Sequence, residues 1–163
     1  MAKLWLSLHV LSAILLIGPM TVAASLLPGR VRAALAGGAG AADPPARWLH
    51  RTCRVYAVLG LAVPAFGLVT AARMGILTDL WLIVSLGLTL AAGVLLAAWI
   101  LPAQARALAL LDTGPGADAP AAATSQTAHS QLTRLSIVTG IFALLWAVVV
   151  VLMIVRPGST TGA

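Results

Sequence analysis

Three histidines and one cysteine carry most of the ligating chemistry in this 163-residue chain. His9 stands inside residues 4–27, an apolar run with no Asp, Glu, Lys or Arg. An imidazole at that depth in a membrane helix is costly unless it faces the protein interior and finds a partner. Its chemistry suits a haem or metal ligand or a proton-relay group. Its structural use would be an interhelical hydrogen bond, to Ser85 or Thr89. His50 and His129 precede Arg54 and Arg134 by four and five residues. If the helices that carry them are neighbours, the two imidazoles meet at one depth. Haem b can use that geometry, with the two arginines on its propionates. The plainer reading is a basic collar facing lipid headgroups. His9 belongs to the opposite leaflet and cannot join them, so a second ligand for it would have to be Met, Lys3 or another subunit. His50 and Cys53, three residues apart on a helix face, make a two-ligand fragment. A single cysteine excludes an intrachain disulfide and a multi-cysteine metal site. No phosphate loop, nucleophile elbow, HExxH or paired-carboxylate arrangement is present, so non-enzymatic chemistry is expected.

The elements that must position these residues follow from composition. The chain is 61% hydrophobic and 9% charged, against about 25% charged in soluble domains. Four apolar stretches, residues 4–27, 50–72, 79–101 and 133–155, are each long enough to cross a hydrocarbon core of about 30 Å. They predict one all-α domain, an integral-membrane four-helix bundle, with flexible loops over about 36–46 and 112–128. Lys3 and Val22-Ala23-Ala24 imitate a signal peptide. The apolar character runs on through Leu27, beyond an h-region of about 7–15 residues, and reads as a retained span.

The net charge of +6 comes from arginines that flank the spans, which fits anionic lipid headgroups rather than nucleic acid. Arg30, Arg32, Arg47, Arg51, Arg54, Arg106 and Arg134 lie on one side; Lys3, Arg73 and Arg156 lie on the other. Seven against three puts the long connections in the cytoplasm and both termini outside; high Ala, Gly and Arg with a single Lys suggests a GC-rich bacterial genome, so the membrane expected is a bacterial inner membrane. Asp43, Asp112 and Asp118 lie outside the spans, Asp79 stands at the very start of the third, and there is no Glu. The spans therefore lack the buried acid that proton- or cation-coupled pumps use.

The two halves resemble each other. Leu4-Trp5-Leu6 opens the first span and Leu80-Trp81-Leu82 the third; their far ends read Leu27-Pro28-x-x-x-Arg32-Ala33 and Leu101-Pro102-x-x-x-Arg106-Ala107. Arg54 leads to Gly60 as Arg134 leads to Gly140. Two tandem hairpins of the same topology follow, related by a pseudo-two-fold axis along the membrane normal. Pro19 and Pro64 free the carbonyls of Leu15 and Gly60 and predict kinks that could open a cavity. Small residues such as Ala23, Gly67, Ala92 and Gly140 allow close helix packing, within the chain or in a homodimer or larger membrane complex.

Leu8-His9-Val10-Leu11, Ile17-Gly18-Pro19, Arg51-x-x-Arg54 leading to Pro64-x-x-Gly67, Trp81-Leu82-Ile83-Val84-Ser85-Leu86 and Ile100-Leu101-Pro102 occur in that order. Together they resemble a predicted bacterial integral-membrane family, domain of unknown function 2269, over roughly residues 4–155. That family carries no assigned activity, so the resemblance implies architecture. More distantly, the first-span Leu-His is similar to copper-resistance and protoporphyrinogen-oxidase-like membrane families. There the corresponding histidine is implicated in copper handling or haem binding, which implies His9 as the ligand. The lysine of the oxidase-like family has no counterpart, since Lys3 is the only lysine, and the oxidase activity is not carried over. The expectation is a membrane protein that binds haem b or a metal through His9. The alternatives are a small transporter using the Pro19 and Pro64 bends, or an accessory subunit with no ligand of its own.

Overall fold

A computed structural model describes residues 2–37, 43–113 and 121–158. Among them every regular element is helical, and a helix satisfies its backbone groups internally where no water is present. Helix α1 (Ala2–Ser12) runs through a π turn (Ala13–Ile17) into α2 (Gly18–Ala36). Helices α3 (Pro44–Leu59) and α4 (Ala62–Met74) form the second rod. In the third, α5 (Leu80–Leu95) runs through a second π turn (Leu96–Ile100) into α6 (Leu101–Thr113). The fourth is the unbroken α7 (Ala121–Val155). Four helices, Lys3–Ala36, Pro44–Met74, Leu80–Asp112 and Gln126–Val155, are long and apolar enough to cross a membrane.

The rods outrun the apolar stretches. Lys3–Ala36 has 34 residues, about 50 Å of helix, and the excess turns carry the arginines at the end named here the collar. Residues 121–128, expected as loop, are helical; their Ala-rich composition supports a helix as readily as a linker. Of the expected loops, residues 38–42 and 114–120 lie outside the described residues.

Proline explains each irregularity. Pro19 has no N–H for the carbonyl of Leu15, and the turn containing Leu15 widens to π. Pro102 stands in the same relation to Ala98, inside the second π turn; in both rods the proline comes two residues after the π turn ends. Pro64 leaves the Gly60 carbonyl without its usual donor. The helix breaks at Gly60 and Leu61, and the Val63 N–H takes that carbonyl at 3.0 Å. Aligning Arg54 with Arg134 sets Pro64 opposite Leu144, which is why α7 has no such break. The two halves thus share topology and a π turn in the leading rod, but not the break at Gly60 and Leu61.

Each hairpin packs on itself, α1 on α4 and α2 on α3 in the first, α5 and α6 on α7 in the second. The hairpins join in the collar half, where α2 meets α6 and α7 and α3 meets α6. The buried core lies there, with Leu27, Val31, Ile100, Leu132, Leu135 and Phe142 all under 4% exposed. Toward the opposite end, which carries Lys3, Arg73 and Arg156, a cavity of about 980 Å³ opens between the hairpins. Large apolar side chains such as Val58, Leu80, Leu90 and Leu144 stay exposed on the outer faces, where a bilayer would cover them.

Candidate functional site

The cavity is walled by α1, α4, α5 and α7, and its lining is almost wholly apolar. His9 stands in this wall on α1. Its Nδ1 lies 2.8 Å from the main-chain carbonyl of Val63 on α4. A carbonyl can only accept, so Nδ1 carries the proton, and in the neutral ring Nε2 bears the lone pair. Nε2 makes no hydrogen bond among the described residues. The ring lies against Gly67, where a Cβ would fall 2.9 Å from Cε1 and 3.1 Å from Nδ1. Glycine at that position is what lets α4 admit the imidazole.

The hydroxyls expected to hold His9 do not. Ser85 donates to the Trp81 carbonyl and Thr89 to the Ser85 carbonyl, each at 2.8 Å. Both are satisfied within their own helix. A main-chain acceptor on the neighbouring helix took their place, an option that side-chain types do not reveal.

The collar half contains a second polar system. His50 Nδ1–H donates to Gln104 Oε1 at 3.0 Å, Gln104 Nε2 donates toward Cys53 Sγ at 3.5 Å, and Cys53 Sγ points to the Met20 carbonyl at 3.8 Å. Gln104 and Cys53 are fully buried. The chain of contacts links α3, α6 and α2, so it ties the two hairpins together. Sequence reasoning passed over Gln104; the signal available was a lone amide among Ala and Leu where the repeat sets Arg30. Arg32 on α2 adds a hydrogen bond to Ser136 on α7 at 3.2 Å, and Arg47 pairs with Asp112 across the hairpins. Arg30 holds the buried Asp43 at the start of α3, with Nε 3.0 Å from Oδ2.

The structure does not bring His50 and His129 into one site. Helices α2 and α6 pack between α3 and α7, His50 turns to Gln104, and His129 is exposed. Arg54 and Arg134 are exposed at the collar as well, remote from His9. Among the described residues no three His, Cys, Asp or Glu side chains gather as a metal site. Pro19 and Pro64 bear on the cavity through the π turn and the helix break, and Pro64 itself lines it. No family model, curated protein or solved structure matches this chain.

Proposed function

We propose that this four-helix membrane protein binds haem b in the cavity between its hairpins, with His9 Nε2 as the ligand to iron. The observation that carries this is the imidazole itself: Nδ1 is committed to the Val63 carbonyl, and Nε2 has no partner among the described residues, in the wall of a cavity of about 980 Å³. Metal-binding histidines are oriented in this way, the second ring nitrogen donating to a carbonyl that fixes tautomer and angle. The volume lies in the range of cofactor sites, about 300–1,000 Å³, and an apolar lining suits a macrocycle. Bound there, the group would supply one-electron or diatomic-ligand chemistry. A copper ion fits less well, because His9 has no cluster of companion ligands among the described residues. With the arginine collar facing the cytoplasm, the cavity would lie in the outer half of an inner membrane.

The test is an absorption spectrum and metal analysis of the purified protein, before and after titration with haem b. Saturable binding with a Soret band that His9→Ala abolishes supports the proposal. A colourless, metal-free protein that haem leaves unchanged refutes it. A second reading, a small transporter, draws on one observation: the bundle is packed at the collar and open toward Arg156. It predicts flux of an apolar solute in proteoliposomes, and no flux across a broad panel removes it.

A further inference from the structure

The cavity wall contains one charged side chain among the described residues, Arg156. Among the described residues no Asp or Glu lines the cavity and Arg156 makes no ion pair. Its position is nonetheless tightly specified. The Arg156 N–H closes the last turn of α7 on the Leu152 carbonyl at 2.9 Å. Its φ of 46° is the one positive value at a non-glycine position among the described residues. Gly75 ends α4 in the same left-handed conformation, at φ 71°, where the absence of Cβ makes it easy. An arginine carries strain there. That backbone turns the side chain across to the neighbouring helix: the guanidinium carbon lies 5.6 Å from the Trp81 ring centroid on α5. Nε donates to the Met153 carbonyl at 3.4 Å. Trp81 is held in turn by Asp79, whose carboxylate accepts its indole N–H at 3.1 Å.

We infer that Arg156 recognises an acidic group on the ligand of this cavity, so that the occupant is a carboxylate-bearing amphiphile with its apolar body against His9. This rests on the reading of the cavity as a ligand site and names what the ligand must carry. A cation stacked on an aromatic face keeps donors to spare, and the guanidinium fork matches a carboxylate. In the haem reading the propionates go to Arg156. Arg54 and Arg134, the partners expected from sequence, stand at the other end of the bundle.

The experiment titrates haem b and its dimethyl ester, which lacks the acids, into the full chain in detergent micelles. It compares wild type, Arg156→Gln and Arg156→Lys, with helical circular dichroism as the check on folding. Wild type should bind the diacid about tenfold more tightly than the diester, one charge-assisted contact. Arg156→Gln should lose that preference with its Soret position unchanged, and Arg156→Lys should keep part of it. Equal affinity of wild type for acid and ester, or a preference that survives in Arg156→Gln, overturns the inference and leaves the haem reading intact. Should wild type bind neither tetrapyrrole, the haem reading fails alone, and a titration with labelled oleate decides this one. Saturable oleate binding lost in Arg156→Gln upholds recognition of an acid; no oleate binding overturns it.

Discussion

The imidazole of His9 and the main-chain carbonyl of Val63 are joined across the first hairpin at 2.8 Å, with Gly67 providing the room. Substituting Gly67 by Ala would set a methyl group 2.9 Å from Cε1, and the ring must move away. Gly67→Ala is therefore expected to weaken haem binding about 10- to 100-fold, the usual effect of disturbing a ligand's supporting contact. His9→Ala should lose binding outright. The double variant should look like His9→Ala alone, because both changes remove the same interaction. Spectral titration of the three proteins reads this directly; an affinity unchanged in Gly67→Ala would mean that the imidazole does not depend on that opening.

Gln104 supports the other half of the bundle. Gln104→Leu keeps the volume but strips the partners from His50 Nδ1 and Cys53 Sγ. Polar contacts between membrane helices contribute on average about 0.6 kcal/mol and up to about 1.7 kcal/mol. Because a fully buried amide and both of its hydrogen bonds are removed together, a destabilisation of about 1–2 kcal/mol is expected. Reversible unfolding in mixed micelles measures it. Cys53→Ala in the Gln104→Leu background should cost less than in wild type, and full additivity would show the two side chains to be uncoupled.

How much of this was legible beforehand depends on the kind of signal. The four apolar stretches and the flanking arginines are summed properties of about 20 residues each, so they point to spanning helices robustly. The partner of His9 is a single main-chain atom on another helix, and residue types carry no record of it. Gln104 sits in an Ala-rich segment past the end of a span, where hydropathy is no longer informative. The pairing of His50 with His129 failed on helix order: it required α3 beside α7, and α2 and α6 pack between them. The prolines were readable as perturbations. Whether each gives a π turn, as at Pro19, or a break, as at Pro64, depends on neighbours such as Gly60, which can end a helix where Leu15 does not.

The π turn before Pro19 sets the rotation of α1 relative to α2. A π turn adds one residue to a helical turn, about 100° of rotation in the facing of everything before it. In Pro19→Ala the missing N–H returns and the regular α-helix becomes available. If α1 takes it, His9 turns away from Val63 and the cavity wall. Haem affinity should then fall about as far as in Gly67→Ala. A cysteine at Leu11, which lies before the turn and is now 53% exposed, should become less reactive toward a lipid-soluble maleimide when placed in the Cys53→Ala background. Unchanged affinity and reactivity would mean that packing against α4 holds the π turn without the proline.

Sidedness fixes which compartment reaches the cavity. Seven of the ten basic residues lie at the collar, and the excess of Arg and Lys marks the cytoplasmic side. The end of the cavity at Arg156 should then lie toward the outer face, so a ligand would enter from outside the cell or laterally from the outer leaflet. Single cysteines in the Cys53→Ala background test this, one at Leu77 in the short hairpin and one at Ser130 near the collar; both positions are exposed. A membrane-impermeant maleimide applied to intact cells should label Leu77→Cys and spare Ser130→Cys until the membrane is opened. The reverse pattern would turn the protein over and set the Arg156 end of the cavity toward the cytoplasm. Labelling of both from one side would contradict four crossings, because the third span, Leu80–Asp112, runs between Leu77 and Ser130 and must set them on opposite faces.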